Sequence, residues 1–290
     1  MDNGIAIVTP VYKGNEYLPQ LLHLIEKAAR KIAPLKVNWI LVNDSPNIKI
    51  ISLKTRANNL IISKIDNPYN LGIQKTRITG LKYVKSKYVM FLDQDDKISE
   101  SAFKLHLKNI KNSDISVMNG YEVNSERSEQ CREKFFNTIA EMETIKEINY
   151  YFYLGNFIVS PGMVLLRTKA IPDFWKENSL KVNGADDWLL WVLMIQEGHK
   201  FSLNLTPTYI HVRNNSNVSN NTEKMIESTS EALDIFLRKY PKEKRLYKIG
   251  KRRLNFWKRL QLDNENKYKL YLLNPDISFY AFKKKIKRIF

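Results

Sequence analysis

One cysteine, Cys131, stands in 290 residues. A single thiol can build neither a disulfide framework nor a cysteine-based metal site, and it suits a reducing compartment. Long apolar runs are missing too: nowhere do the roughly eighteen uninterrupted apolar residues of a bilayer-spanning helix occur. The opening Met1-Asp2-Asn3-Gly4-Ile5-Ala6-Ile7-Val8 has no positive n-region and no long apolar h-region. It predicts a first strand in place of a signal peptide, and a cytoplasmic protein that meets a membrane only at its surface. There is no G-x-x-x-x-G-K-[ST] loop, G-x-G-x-x-G, G-x-S-x-G or H-E-x-x-H, which argues against P-loop, dinucleotide-binding, serine-hydrolase and zincin chemistry. Acids are scarce beside bases, 30 against 47, for a formal charge of +17 that calls for an anionic partner.

A hydrophobic content of 43% is enough for a sizeable core. Up to about Tyr121, short β-rich apolar runs alternate with helical stretches, the pattern of a sheet wound by βα units. Ile5 to Val8, Val37 to Val42, Leu60 to Ile65, Tyr88 to Leu92 and Ile115 to Met118 are the predicted strands. Leu18, Leu21, Leu22, Ile25 and Ala29 fall on one face of the first helix. These spacings predict a mainly parallel α/β sheet flanked by helices, with functional groups in the loops at the carboxyl ends of its strands. Ser160-Pro161-Gly162 marks a tight turn before the apolar run Met163 to Leu166. A helix is predicted from Asp187 to Glu197, and beyond Thr222 the pattern is helical, broken at Pro241 and Asn274-Pro275. The expected organisation is a catalytic domain over 1–221 and a helical basic C-terminal region over 222–290.

The sharpest chemical feature is Asp93-Gln94-Asp95-Asp96 directly after the apolar Phe91-Leu92. Three adjacent carboxylates repel one another unless a cation is shared, and hard oxygen ligands favour Mg²⁺ or Mn²⁺, which could bridge a diphosphate. The alternative is a set of capping acids for a helix starting near Ser99. A second acidic pair, Asp186-Asp187, precedes Trp188 and an apolar helix. One acid there could cap the helix, and the other, flanked by Trp188, could serve as a general base. Asp44 and Asp66 follow the second and third strands within strong turn sequences. Asn70-Leu71-Gly72 with Arg77 reads either as an anion contact or as surface charge.

In this order the motifs resemble the family 2 glycosyltransferases, inverting enzymes of the GT-A fold, over roughly the first 220 residues. The resemblance rests on Thr9-Pro10-Val11-Tyr12 after the opening strand, Asp44, Asn70-x-Gly72 with Arg77, Asp93-x-Asp95-Asp96, and Asp186-Asp187-Trp188. It implies a nucleotide-sugar donor, most commonly a UDP-sugar, lined by Thr9, Pro10 and Tyr12. Asp44 would contact the nucleobase, supported by Arg77, with Asp93 near the ribose and Asp95 on the metal. Asp187 would be the base, and Asp186 and Trp188 would face the acceptor. Asn43-Asp44-Ser45-Pro46 departs from the family's doubled acid with a following glycine, and Thr76 and Ile78 replace the more usual Ala and Asn beside Arg77. A family histidine or arginine on the diphosphate corresponds to His211 or Arg213, with Arg213 favoured. The implied enzyme is a metal-dependent hexosyl- or N-acetylhexosaminyltransferase of bacterial polysaccharide biosynthesis.

Eighteen basic residues against four acidic ones lie between Arg238 and Phe290, so the tail carries most of the excess charge. Leu246, Ile249, Phe256, Trp257 and Leu260 share one helical face opposite Lys244, Lys248, Lys251, Arg252, Lys258 and Arg259, with Arg253 as the exception. Phe279, Phe282, Ile286, Ile289 and Phe290 likewise face away from Lys284, Lys285 and Arg288. Such basic amphipathic helices suit an anionic membrane surface, from which an undecaprenyl-diphosphate-linked glycan acceptor would be reachable. The alternative is that the stripes pack on the catalytic domain. A nucleic-acid-binding protein is the rival from another class, but the acidic sheet edge would repel a phosphate backbone, so no nucleic-acid partner is expected.

Overall fold

The expected alternation of apolar strands and amphipathic helices is realised at the front of the chain. The computed structural model describes residues 2–124, 132–213 and 218–289; Cys131 and Phe290 lie outside them. The strands are β1 (Asp2–Val11), β2 (Val37–Asn43), β3 (Leu60–Asp66), β4 (Ser86–Phe91), β5 (Lys97–Ile98), β6 (Ile115–Asn124), β7 (Glu133–Lys134), β8 (Val164–Arg167) and β9 (Phe201–Arg213). They form one sheet in the order β3-β2-β1-β4-β8-β6-β9-β5, with β7 on β6. Strands β1 to β4 are parallel, whereas β8 runs antiparallel to both β4 and β6.

Register carries the fold to the site. Val11 pairs with Asn43 and Asn43 with Asp66, while Val8 pairs with Phe91. The carboxyl ends of β1, β2, β3 and β4 therefore open on one edge, and the residues just beyond them share it. Helix α1 (Leu18–Arg30) buries Leu18, Leu21, Ile25, Ala28 and Ala29, matching the expected face apart from Leu22. Helices α2 (Ile73–Leu81) and α3 (Ala102–Asn109) complete this unit, α2 packing on β1 and β2 and α3 on β6 and β9.

No strand is predicted over 201–213, yet β9 is a long one, parallel to β6 and antiparallel to β5. Pro207 explains the difference. The register against β6 shifts on both sides of Asn119, so the proline sits in a bulge, where a strand tolerates a missing donor and where the two-residue alternation is broken.

The chain divides into two compact units: Met1–Phe135 with Val159–Ile171 and His199–Asn214, and Phe136–Ile158 with Pro172–Gly198 and Asn215–Phe290. The division differs from a cut at 221/222 because two earlier segments group with the C-terminal helices. That second unit holds α4 (Ile139–Met142), α5 (Ile148–Leu154), α6 (Asp173–Glu177), α7 (Asp186–Gln196), α8 (Thr222–Lys239), α9 (Lys244–Gln261), α10 (Lys267–Leu273) and α11 (Pro275–Ile289). Helix α7 buries every residue from Trp188 to Met194, and α8 and α9 pack on each other, with α9 and α11 both against α5. The face of α9 expected to be apolar is buried at Leu246, Ile249 and Phe256, so this helix takes the packing role.

Candidate active site

At the edge of the first unit, backbone and side chains knit the loops together. Thr9 and Pro10 lie inside β1, and the Thr9 hydroxyl accepts a hydrogen bond from the Trp39 indole at 3.0 Å, which makes it part of the site's floor. Tyr12 is exposed, but its backbone is clamped by Gln94: Gln94 Nε2 donates to the Tyr12 carbonyl at 3.1 Å and the Tyr12 amide donates to Gln94 Oε1 at 3.0 Å. Asp44 is buried, and its carboxylate accepts from Asn67 Nδ2 at 2.8 Å and from the Leu71 and Gly72 amides at 2.7 and 3.0 Å. It thereby fixes the Asn70-Leu71-Gly72 turn that opens α2. Asp66 accepts from Asn43 Nδ2 at 2.7 Å, an ordinary turn role.

The triple acid proves to be three different groups. None caps a helix, because α3 starts at Ala102 after Ser101. Arg77, buried on α2, reaches across to Asp93 at 2.7 Å, so this pair is neutralised within the protein and Arg77 is not a surface charge. Asp96 is 4% exposed and accepts from the Tyr209 hydroxyl, from Ser160 Oγ at 3.3 Å and, through its other oxygen, faces His211 Nδ1 at 3.2 Å. The argument that three neighbouring acids must share a cation is corrected accordingly: Arg77, Tyr209, Ser160 and His211 stabilise two of them.

Electrostatics agree with this division of labour. Burial pushes the Asp96 carboxyl above its usual range, against the pull of His211. Burial also opposes the His211 imidazolium, but the hydrogen bond and charge of Asp96, with Glu122 and Asp93 adding, hold its pKa above the ordinary histidine value. The Tyr209 phenol is driven well up by burial and then by Asp96, so it stays a donor. The β9 bulge aims Tyr209 at Asp96, and Gly162 leaves room for the ring, since a Cβ there would lie 2.5 Å from Tyr209 Cε2.

Among the described residues, no group of three or more His, Cys, Asp or Glu side chains could hold a metal ion by itself. Mg²⁺ at a substrate site, however, needs only one or two carboxylates, the remainder being water and phosphate oxygens. Half-buried Asp95, between Asp93 and Asp96 in sequence, is a hard oxygen donor of the type such an ion takes.

In the second unit, Ala185 caps α7, and Asp186 and Asp187 occupy its first turn. Asp186 is buried, its carbonyl accepting from the Trp175 indole at 2.7 Å. Asp187 is half-buried; Oδ2 accepts from Asn156 at 2.8 Å and Oδ1 from the Trp188 amide at 2.7 Å. Trp188 is a core residue whose indole donates to the Tyr151 carbonyl at 3.3 Å. Asp187, Trp188 and Asn156 line a cavity of about 340 Å³. Arg213, by contrast with His211, is 62% exposed and lies 3.6 Å from Glu122. The structure thus brings His211, not Arg213, to the acidic motif. Gln94, Asn67, Ser160, Tyr209 and Asn156 escaped sequence reasoning; of these only Tyr209 carried a signal, its two-residue spacing from His211.

The sequence and the fold have relatives among known proteins. A family model, "Glycosyl transferase family 2", matches residues 6–175, more than half of the chain, and the protein belongs to that family. Minor teichoic acid biosynthesis protein GgaB of Bacillus subtilis is 34% identical over 104 residues, 34% of this chain and 11% of that protein. The UDP-Glc:alpha-D-GlcNAc-diphosphoundecaprenol beta-1,3-glucosyltransferase WfaP of Escherichia coli is 25% identical over 198 residues, 66% of this chain and 67% of that one. Among solved structures, S. aureus TarS 1-349 in complex with UDP-GlcNAc superposes with a TM-score of 0.62 at 18% identity, covering 89% of this chain and 73% of that chain. The likeness to TarS shows the GT-A fold.

Proposed function

We propose that this glycosyltransferase moves a hexosyl or N-acetylhexosaminyl group from a UDP-sugar to a hydroxyl of a lipid-linked glycan acceptor, with inversion, in assembly of a bacterial surface polysaccharide. The observation that carries the reading is the sheet edge where the Asp44-tied turn, the Arg77–Asp93 pair and Asp95 follow three parallel strands. The UDP moiety is supported by the UDP-GlcNAc complex of TarS and the UDP-Glc donor of WfaP, and the acceptor class by the diphosphoundecaprenol of WfaP and the teichoic acid of GgaB.

In this reading Thr9, Pro10 and the Gln94-clamped Tyr12 shape the donor floor, and Asp44 acts on the nucleobase through the turn it holds. Arg77 orients Asp93 toward the ribose. His211, whose pKa Asp96 holds above the ordinary histidine value, contacts the diphosphate in preference to Arg213. A Mg²⁺ or Mn²⁺ ion held by Asp95 would offset the charge of the departing nucleotide. Asp187 takes the acceptor's hydroxyl proton as that oxygen bonds to the anomeric carbon and the bond to the diphosphate oxygen breaks, so one displacement completes the transfer. Asp186 and Trp188 support Asp187 on the acceptor side.

Asp187→Asn is expected to lower kcat at least a hundredfold while UDP-sugar affinity stays nearly unchanged, as loss of a general base requires. Single-turnover kinetics with a titrated donor separate the two. A collapse of donor binding with little change in the chemical step would remove Asp187 from the role of base.

The same reading includes contact with an anionic membrane surface through α11. No helix among the described residues is long and apolar enough to cross a bilayer. Helix α11 leaves Phe279, Phe282, Ile286 and Ile289 exposed, with Lys283 and Lys285 exposed beside them. That combination of apolar stripe and flanking cations suits the headgroup boundary of anionic lipid.

A further inference from the structure

Arg253 breaks the pattern of its helix. On α9 it falls on the apolar side, is 8% exposed, and has no hydrogen bond or ion pair at Nε or Nη2. Leaving donors of a buried guanidinium unpaired carries a penalty of several kcal/mol, and here it falls on a residue that also lines a cavity. Burial lowers its pKa to about 10, which leaves it charged at neutral pH. Its surroundings are shaped for it: Gly155 has φ of 107°, and a Cβ at that position would lie 2.9 Å from Arg253 Nη1.

Arg253 lines the cavity of about 340 Å³ that also holds Asp187, Asn156 and Trp188, together with the aromatic side chains of Trp257 and Tyr271. This volume is in the range of small-ligand sites, and the combination of aromatic wall, carboxylate, amide and cation is chemically specific. Helices α5, α7, α9 and α10 with their flanking turns supply these groups, so the site is built inside the second unit.

We propose that this cavity is an acceptor subsite in which Arg253 binds the phosphate oxygens of an acceptor whose hydroxyl lies at Asp187. The inference rests on the glycosyltransferase reading above and adds the chemistry of the acceptor: it carries phosphate close to the hydroxyl that is glycosylated. A guanidinium fork matches tetrahedral oxyanions by paired N–H donors, and in a buried site each such bond is charge-assisted. The phosphate can come from a phosphodiester within a polymer or from the diphosphate of a lipid carrier.

Two probes distinguish these sources, glycerophosphoglycerol for the diester and geranyl diphosphate for the carrier. Each is titrated into the full chain with UDP and Mn²⁺ saturating, so that the donor edge is occupied, and tryptophan fluorescence reports binding because Trp188 and Trp257 line the cavity. The native protein is expected to bind one of the probes, Arg253→Met to lose at least tenfold in affinity, and Arg253→Lys to lose less. Arg253→Met is also expected to keep or raise Tm, because an apolar side chain of similar length replaces an unpaired buried charge. No binding of either probe to the native protein, unchanged affinity in Arg253→Met, or a marked fall in its Tm would each overturn the proposal, the last by making Arg253 a structural strut. Retained donor hydrolysis in any of those cases would retire the phosphate subsite alone, whereas absence of donor hydrolysis in the native protein would retire the glycosyltransferase reading instead.

Discussion

At the scale of single residues, the buried polar groups have separate duties that their chemistry sorts. His106 on α3 is completely buried; Nδ1 lies 2.9 Å from Ser116 Oγ, and Nε2 has no partner. Burial, partly offset by a hydrogen bond at Ser116, lowers its pKa to about 3. Since the unfolded chain binds this proton near pH 6.5, its contribution to stability is fully present above that value and is lost as pH falls toward the folded-state pKa. Between pH 7 and pH 5 that loss amounts to about 2 kcal/mol. His106→Gln should flatten the acid limb of urea-derived stability by that amount. An unchanged difference between pH 7 and pH 5 would show that His106 is not the group responsible.

The Asp93-Gln94-Asp95-Asp96 segment shows what a sequence reveals at this scale. Its position after an apolar strand placed it at the sheet edge, because strand and turn are local. The division of labour was hidden because the partners are distant in sequence: Arg77 is on α2, Ser160 precedes β8, and Tyr209 and His211 are on β9. Gln94, the residue between the acids, holds the loop after β1, and no local pattern marks that task.

Among the elements, the two basic amphipathic helices of the tail have different fates, although their patterns look alike. Helix α9 buries its apolar side among α5 and α8. Helix α11 docks by other groups: Tyr280 stacks on Tyr153 at 4.1 Å, Lys287 pairs with Glu147 at 2.9 Å, and Arg288 reaches the buried carboxylate of Glu141 at 3.0 Å. Its cations are therefore spent partly inward, and the aromatic stripe remains outside. Periodicity gives the stripes but not which side finds a partner, so packing was legible for neither helix. Removing the chain after Tyr240 would strip α9 from its core contacts, so substitutions on α11 make the cleaner test. Phe279→Ser with Phe282→Ser, both at exposed positions, should leave Tm unchanged and reduce co-sedimentation with phosphatidylglycerol vesicles severalfold, while high salt weakens the native protein's binding. Equal sedimentation of the double variant and the native protein would return α11 to a purely structural role.

For the whole molecule, the parallel front half of the sheet follows from a regular alternation of strand and helix, and it was legible for that reason. The antiparallel β8, the bulged β9 and the grouping of 136–158 and 172–198 with the C-terminal helices depend on contacts between segments far apart in the chain. In the proposed function the donor side uses residues that follow local strand ends, while the proposed acceptor cavity draws on α5, α7, α9 and α10. The central claim, transfer of sugar from a nucleotide diphosphate, is tested most directly by a panel of UDP- and other nucleotide-sugars scored for hydrolysis and transfer, with Mn²⁺ or EDTA, in the native protein and Asp95→Asn. The account predicts turnover of one UDP-sugar that EDTA abolishes and that falls at least a hundredfold in the folded Asp95→Asn variant. Turnover of no nucleotide-sugar, or full activity in both EDTA and Asp95→Asn, would contradict it.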